Sequence, residues 1–222
     1  MVDEVAILVP AYEPDEKLVR FRAELARDFA HVVVVDDGSS AHVPDAAVRH
    51  PVNRGKGAAI RSGVAWILEN LPRAMAIVTA DADGQHLAAD VKRVAETALA
   101  HPDALVIGAR RLPRGIPFRS WFGNKLSCAT FRLLTGVGVS DTQSGLRGVS
   151  RGHWRRLLEI PGDRYEYELR MLADACRWAE KPVEVPIETV YIADNASSHF
   201  RPVRDAFATQ WALVRHCLEF RR

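Results

Sequence analysis

Residues 74–86, AMAIVTADADGQH, join an apolar run to a cluster of polar side chains and decide how the chain can fold. The run Ala74–Val78 predicts a buried strand, and Asp81 and Asp83 follow it closely. At the carboxyl end of a strand the side chains no longer alternate strictly, so both carboxylates can turn toward one point. Two hard oxygen ligands suit Mg²⁺ or Mn²⁺, whose remaining ligands usually come from substrate phosphates and water. A solvated Asp-Gly turn is the alternative that this segment alone leaves open.

The composition is that of an ordinary globular protein. The chain has 222 residues, of which 48% are hydrophobic and 26% charged, and its formal net charge is +2. A chain of this length buries a substantial core without disulfides. The three cysteines, Cys128, Cys176 and Cys217, form no C-x-x-C motif, which predicts reduced thiols in a cytoplasmic protein. No signal peptide and no apolar run of about 18 residues is present, so we predict neither secretion nor a membrane span.

Apolar runs and amphipathic segments alternate along the first half of the chain. Strands are predicted at residues 5–9, 31–35, 74–78 and 104–108, and helices at 15–29, 57–70 and 88–100. Repeated βα units predict an α/β fold with a mostly parallel central sheet flanked by helices on both faces. Ligands of open sheets bind outside the carboxyl ends of the strands, where this chain places residues 10–13, 36–39 and 81–83.

The alternation weakens after Arg110. We predict a helix at residues 121–134, a strand and a short helix after residue 147, a helix at 166–179, one or two strands at 183–192, and a helix at 202–222. No internal repeat or flexible linker interrupts the chain, which predicts a single domain over residues 1–222. We expect residues 1–110 to form a nucleotide-binding half, residues 111–201 an acceptor-side half, and residues 202–222 a C-terminal amphipathic helix.

Six short motifs carry a resemblance to a known family. They are PAY at 10–12, VVDDGS at 34–39, NRGKGA at 53–58, DADGQH at 81–86, DTQSGLR at 141–147 and SSHF at 197–200. In this order and spacing the chain resembles the inverting family 2 glycosyltransferases, and most closely the dolichyl-phosphate mannose synthase and polyprenyl-phosphate glycosyltransferase branch. The resemblance implies the GT-A fold of nucleotide-diphospho-sugar transferases. It also implies metal-dependent transfer of a sugar from a GDP- or UDP-linked donor.

The resemblance places the donor site along the predicted strand ends. Its nucleoside-binding positions fall on Pro10, Tyr12 and Asp37, and a carboxylate can accept hydrogen bonds from a base N–H or from ribose hydroxyls. Many relatives have Asn-Glu after the tyrosine, whereas this chain has Glu13 and a proline, so a ribose contact by Glu13 stays open. Lys56 is expected to face the diphosphate, because the amino end of a helix favours anions. A plain turn and a solvated lysine are the alternatives.

Asp81, Asp83 and Gln85 match the metal-binding motif of the family, in which a cation bridges the protein to the donor diphosphate. Mg²⁺ or Mn²⁺ is therefore the expected cofactor, because it stabilises the charge that develops on the leaving group. Through that cation Asp81 counts among the nucleotide-binding residues and Asp83 among the catalytic ones. His199 is a candidate further ligand, with a loop-capping role as its alternative. His86 is expected to orient the loop.

The acceptor determines which groups the reaction needs. Transfer to a hydroxyl needs a general base, for which Asp141 is the candidate. A phosphate acceptor is already charged at neutral pH and calls for cations instead. The resemblance places lipid-phosphate contacts at Arg110 and Arg119, and the local concentration of basic residues favours an anionic ligand over nucleic acid. Arg147 is a third candidate phosphate contact, with a structural ion pair as its alternative.

These observations predict a glycosyltransferase that uses a nucleoside-diphosphate sugar and a polyprenyl phosphate. Transfer to a saccharide or another hydroxyl acceptor is the alternative within the fold. A sugar-phosphate nucleotidyltransferase is the alternative from another class, but it typically has a glycine-rich loop after the first strand, where this chain has Pro10 to Pro14. A catalytically idle binding module is disfavoured because both paired aspartates are present.

The predicted C-terminal helix is amphipathic. Its apolar face carries Val203, Phe207, Trp211, Val214 and Leu218, and positive charge comes from Arg204, Arg215, Arg221 and Arg222. This pattern is typical of a helix that lies at a membrane interface. We therefore expect peripheral attachment to the cytosolic face of a membrane or to a membrane-protein partner. Packing on its own domain, or on a second subunit in a homodimer, is the alternative.

Overall fold

The computed structural model describes residues 2–110, 118–188 and 202–219, without the side chains of residues 2, 118–122, 202–208 and 219. Its strands are β1 (Val2–Ala11), β2 (Phe29–Asp36), β3 (Val48–Arg49), β4 (Ala76–Thr79), β5 (Leu105–Arg110), β6 (Arg147–Ser150) and β7 (Val183–Ile187). Its helices are α1 (Glu16–Leu25), α2 (Lys56–Asn70), α3 (Ala88–Ala100), α4 (Phe118–Thr135), α5 (Trp154–Glu159), α6 (Glu166–Ala175) and α7 (Pro202–Glu219).

Within the described ranges the strands form one sheet in the order β3-β2-β1-β4-β6-β5-β7. Strand β6 runs antiparallel to its neighbours β4 and β5, and the other pairs are parallel. The predicted mostly parallel α/β sheet is therefore confirmed. Because β6 is reversed, its first residue, Arg147, pairs with Thr79 of β4 and Ile107 of β5. The segment that leads into β6 thus reaches the same edge of the sheet as the carboxyl ends of β4 and β5.

Helices cover both faces of the sheet, as the repeated βα units predict. Along β1, Ala6 and Leu8 belong to one apolar core, whereas Val5, Ile7 and Val9 belong to the other. Helices α2, α4, α5, α6 and α7 contribute to the first core, and α1 and α3 contribute to the second. Since successive side chains of a strand point to opposite faces, a continuous apolar run is what two covered faces require.

The first helix is shorter than the predicted span of residues 15–29. Asp15 caps it by accepting a hydrogen bond from the backbone N–H of Lys17, and it ends at Leu25. Phe29 continues the helical spacing of apolar residues, but it begins β2 and is buried there. A buried strand residue and a buried helix residue look alike in the sequence, so the apolar period alone overextends the helix.

Helix α7 packs against α4 and α6 through Leu213, His216 and Cys217, which are buried. The His216 Nε2 lies 2.9 Å from Asp174 Oδ1 of α6. On the predicted interfacial face, Trp211 is 58% exposed, and Val203 and Phe207 lie among the side chains outside the description. The helix therefore docks on its own domain with one face while Trp211 stays at the surface. In the described part of the chain, no helix has the length and apolarity needed to cross a membrane.

Candidate active site

A cavity lies at the edge of the sheet where β4 and β5 end and the loop before β6 arrives. Asp81, Gln85 and His86 line it from the β4 side, Arg110 from the end of β5, and residues 143–145 from the loop before β6. The three segments are far apart in the sequence and meet because β6 is inserted between β4 and β5. The structure thus brings Asp81 and Gln85, predicted for metal binding, and Arg110, predicted for acceptor binding, to one cavity.

An ammonium group sits between two carboxylates beside this cavity. The Lys56 Nζ lies 2.6 Å from Asp81 Oδ1 and 2.8 Å from Glu168 Oε2. Burial disfavours the charged ammonium, but the charges of Asp81 and Glu168 outweigh it and raise the pKa of Lys56 above its ordinary value. Burial likewise opposes the Asp81 carboxylate, and the Lys56 charge overcomes that effect and lowers the pKa of Asp81. The three groups form a charged cluster, in which Lys56 and Asp81 are ionised at neutral pH.

Asp83 experiences the opposite balance. Burial and then the negative charge of Asp81 raise its pKa, although the backbone N–H of Gln85 donates to Asp83 Oδ1 at 2.9 Å. Two carboxylates that repel each other at one turn form a site that a divalent cation can neutralise. The neighbouring His86 Nε2 lies 3.4 Å from Asp81 Oδ2, and its buried Nδ1 has no hydrogen-bond partner among the described residues. The two carboxylates are the kind of oxygen ligand that Mg²⁺ and Mn²⁺ prefer.

Gly145 lets the loop before β6 pass directly over the charged cluster. A β-carbon at this position would collide with the Asp81 carboxylate and would lie 2.7 Å from Lys56 Nζ. The hydroxyl of Thr79 donates to the carbonyl of Gly145 at 2.8 Å and fixes this approach. The absence of a side chain here is therefore a packing requirement of the site.

Arg110 and Asp141 form a two-point ion pair at the other side of the cavity. Arg110 Nε donates to Asp141 Oδ2 at 2.6 Å, and Arg110 Nη2 donates to Oδ1 at 3.0 Å. The backbone N–H of Gln143 also donates to Oδ1, at 2.9 Å. Burial of Asp141 acts against its charge, but the Arg110 hydrogen bonds and charge prevail and lower its pKa. A lowered pKa makes this carboxylate a weak proton acceptor, which argues against its use as a general base.

Arg147 is fully buried and binds main-chain oxygens. It donates to the carbonyls of Ser144, Thr142 and Glu168, and so ties the loop before β6 to α6. Burial disfavours its charge and lowers its pKa. The geometry supports a structural role for Arg147 rather than a phosphate contact, but its partners are main-chain oxygens and not the carboxylate of the expected ion pair. The main-chain oxygen of Glu168, and not a carboxylate, accepts one of its bonds.

The second predicted acidic turn, after β2, is closed by hydrogen bonds within the protein. Asp37 is buried, and its Oδ1 lies 2.6 Å from His50 Nδ1 and accepts from the backbone N–H of Arg54 at 3.0 Å. Its Oδ2 accepts from the backbone N–H of Gly55 at 2.7 Å. In this structure Asp37 shapes the turn that precedes α2. A nucleoside contact by its carboxylate stays a prediction.

Glu13 joins the loops that follow β1 and β2. Its carboxylate accepts from the backbone N–H of Ser40 at 2.7 Å and lies 3.0 Å from the Ser40 hydroxyl. Its own backbone N–H donates to Ser39 Oγ at 2.9 Å. Pro10 and Tyr12 flank this junction, and Tyr12 is 37% exposed beside it. The Glu13 carboxylate thus has protein partners, and its ribose contact stays a prediction.

The side chains of two predicted site residues lie outside the described part of the structure. His199 lies outside the described residues, and Arg119 belongs to α4 but its side chain is not described. Glu168, in contrast, lies in the charged cluster although the motifs did not identify it. The helical period of α6 does contain a signal for it, because Met171, Leu172 and Ala175 follow at spacings of three, four and seven residues and are buried. A glutamate on an apolar face indicates a buried charge that needs a partner.

A family model and two relatives match most of this chain. The family model described as Glycosyl transferase family 2 matches residues 6–158. An uncharacterized protein of Methanocaldococcus jannaschii is 32% identical over 203 residues, which cover 85% of this chain and 82% of that protein. The UDP-N-acetylglucosamine--dolichyl-phosphate N-acetylglucosaminyltransferase of Methanococcus voltae is 29% identical over 218 residues, covering 84% of this chain and 86% of the enzyme.

A solved structure shares the fold. Glucosyl-3-phosphoglycerate synthase from Mycobacterium tuberculosis, in complex with Mn²⁺, uridine diphosphate and glucosyl-3-phosphoglycerate, superposes with a TM-score of 0.64 at 18% identity. The match covers 97% of this chain and 79% of the synthase. At this identity the likeness concerns the fold, and it confirms the GT-A architecture that the motifs imply.

Proposed function

Since the chain belongs to glycosyl transferase family 2, we propose that it transfers a sugar, with inversion, from a nucleoside-diphosphate sugar to a polyprenyl phosphate, assisted by a divalent cation. The family makes it a glycosyltransferase and sets aside the nucleotidyltransferase alternative. The name of the Methanococcus voltae relative supports a uridine-diphosphate donor and a dolichyl-phosphate acceptor. The metal and the uridine diphosphate of the mycobacterial synthase support the same kind of donor complex.

The ion pair of Arg110 with Asp141 carries the proposal for the acceptor. A hydroxyl acceptor must lose a proton, but the buried Asp141 carboxylate is held by Arg110 and its pKa is lowered. A phosphate monoester has a second pKa of about 6, so its oxygen attacks without a base. Arg110 lines the cavity, and its guanidinium charge suits phosphate oxygens. Asp141 then serves to hold Arg110 in position.

The donor side follows from the charged cluster. Asp81 and Asp83, with the amide of Gln85, would hold a divalent cation, and such a cation offsets the charge of the departing diphosphate. Lys56, on the first turn of α2, adds a positive charge next to that position. Gly145 lets the loop before β6 close over these groups, so that donor and acceptor phosphates can meet in one cavity.

The acceptor proposal is tested with purified protein, labelled nucleotide sugars, Mn²⁺ and either polyprenyl phosphate or free saccharides. We expect label in the lipid phase with polyprenyl phosphate alone. Arg110→Lys keeps the charge but loses the fork, and we expect its KM for the lipid phosphate to rise about tenfold or more while its KM for the donor stays the same. Arg22→Lys, at a surface ion pair with Asp45, is the matched control. Transfer to saccharides by the wild type, or an unchanged lipid KM in Arg110→Lys, would contradict the proposal.

We also propose that α7 brings the protein to the membrane surface where a lipid acceptor resides. Trp211 and Leu218 are more than half exposed, and Arg215 lies between them on the exposed side of the helix. Vesicles with anionic lipid should therefore sediment the protein at low salt, because each basic residue near the surface adds about 1 kcal/mol. Trp211→Glu should release it, whereas Val19→Glu, an exposed apolar residue of α1, should not. Equal sedimentation of both variants would count against this attachment.

A further inference from the structure

The position of Lys56 raises the question of how a metal reaches Asp81. Its ammonium lies 2.6 Å from Asp81 Oδ1, which is ion-pair contact with the carboxylate that would bind the cation. A second carboxylate, Glu168, lies 2.8 Å from the same ammonium through Oε2. Two cations cannot both take this oxygen at contact distance without strong repulsion. Metal binding through Asp81 Oδ1 and the Lys56 contact are therefore in competition.

We propose that Lys56 is a built-in counter-ion that occupies the cation's place at Asp81, and that Glu168 keeps the ammonium when a divalent cation enters. The inference rests on the proposed function, because it assumes that Asp81 and Asp83 bind a divalent cation. Glu168 is then a positioning residue, since it acts on the metal site only through Lys56. Neither role follows from the six sequence motifs. The resemblance assigns Lys56 to the donor diphosphate, and none of the motifs contains Glu168.

Glu168 has the geometry of a receiving group. It is buried on α6, and its Oε1 has no hydrogen-bond partner among the described residues although Oε2 binds Lys56. A buried carboxylate oxygen without a donor is costly, and a shift of the ammonium toward Glu168 would satisfy it. Gly145 is close to the ammonium on the side of the loop, because a β-carbon at this position would lie 2.7 Å from Lys56 Nζ. The ammonium can therefore leave Asp81 without leaving the cluster.

This competition makes metal binding depend on the donor. Without nucleotide, a cation must displace the ammonium from Asp81, so the site binds metal weakly. A donor diphosphate supplies new negative charge both for the cation and for the released ammonium. Metal and nucleoside diphosphate are thus expected to bind cooperatively. In the metal-free protein the charge of Lys56 balances that of Asp81.

The test measures Mn²⁺ binding without nucleotide, by the electron paramagnetic resonance signal of free Mn²⁺. Lys56→Met should bind Mn²⁺ about tenfold more tightly than the wild type, or better, because the competing charge is gone. Glu168→Gln should bind it more weakly, because the ammonium then has Asp81 as its remaining carboxylate partner. Lys92→Met, at a surface ion pair with Asp28, is the matched control and should not change the affinity.

The double variant separates displacement from a general effect of charge. If Glu168 acts through Lys56, the effect of Glu168→Gln disappears in the Lys56→Met background, whereas independent field effects add. Additive effects, or equal Mn²⁺ affinity of Lys56→Met and wild type, overturn the inference and leave the proposed function standing. Absence of any Mn²⁺ binding by Lys56→Met, with or without nucleoside diphosphate, overturns both.

A nuclear magnetic resonance measurement on the wild-type protein tests the displacement of Lys56 without relying on variants that could fail to fold. With ¹⁵N-labelled lysine side chains, the ion-paired ammonium of Lys56 should give a protected signal that Mg²⁺ shifts when uridine diphosphate is present. The Lys92 signal serves as the internal reference. A Lys56 signal that does not respond to Mg²⁺ and uridine diphosphate contradicts displacement, whatever the variants show.

Discussion

Two acidic turns follow the carboxyl ends of β2 and β4, the strands on either side of β1, and differ in what their carboxylates bind. Asp37 is buried and accepts hydrogen bonds from the backbone N–H groups of Arg54 and Gly55. Asp81 is partly exposed to the cavity and is balanced by the ammonium of Lys56. A carboxylate bound by main-chain donors is fixed by the fold. A carboxylate balanced by one movable charge can exchange that charge for a ligand.

The β4 turn also contains features that the β2 turn lacks. Burial and the charge of Asp81 raise the pKa of Asp83, and the buried His86 Nδ1 is without a hydrogen-bond partner among the described residues. Both features cost stability in the metal-free state and are relieved by a ligand. Two similar acidic motifs at strand ends can therefore differ in role: the turn after β2 supports the fold, whereas the turn after β4 has the properties of a binding site, because their carboxylates have different partners.

The first prediction concerns sugar transfer, which should depend strongly on the turn after β4. Asp83→Asn should reduce sugar transfer at least about a hundredfold, because it removes one charge from the proposed divalent-cation site. Its melting temperature should not fall. Asp45→Asn, at an exposed aspartate, is the control and should retain full transfer. The measurement is a transfer assay with Mn²⁺, repeated in excess EDTA, and full activity in EDTA would refute the role of the β4 turn.

A second prediction concerns stability at the β2 turn. Asp37→Ala should lower the free energy of unfolding by about 1 to 3 kcal/mol, because it leaves the N–H groups of Arg54 and Gly55 and the His50 ring without their acceptor. For a chain of this size that corresponds to a fall of roughly 3 to 10 °C in melting temperature. Thermal unfolding followed by circular dichroism measures it. An Asp37→Ala protein that melts like the wild type but no longer binds nucleotide would reverse the assignment and make Asp37 a ligand group.

The sequence predicts where the two acidic turns lie in the fold, but it does not predict which groups their carboxylates bind. The apolar runs before Asp37 and Asp81 locate both turns at strand ends, and the repeated βα units bring those ends to one edge. The identity of each carboxylate's partner depends on distant segments. Glu168 reaches Lys56 because α6 packs beside α2, and Asp141 reaches Arg110 because β6 is inserted in reverse.

The function of individual motif residues is harder to predict for the same reason. The motifs identify Asp141 and Arg147 as chemical groups, yet burial makes Arg147 a link between main-chain carbonyls, and a close guanidinium lowers the pKa of Asp141. Burial and charge partners are properties of the packed structure. A motif gives the residue type at a position, and the packing decides whether that side chain faces a ligand or the protein.

The smallest expected effect concerns the stability of the metal-free β4 turn and its dependence on pH. Because the pKa of Asp83 is raised, the folded state binds a proton at Asp83 more tightly than the unfolded chain does. The resulting stability is full below the unfolded pKa and is lost as pH rises through the raised folded pKa. In EDTA, Asp83→Asn should therefore be more stable than the wild type at pH 7, by about 1 kcal/mol or less, and the difference should vanish in acid. Urea unfolding at several pH values measures it, with Asp45→Asn as the control. If Asp83→Asn is less stable than the wild type at pH 7, repulsion between Asp81 and Asp83 does not destabilise the metal-free turn after β4. That turn would then not differ in this respect from the turn that contains Asp37.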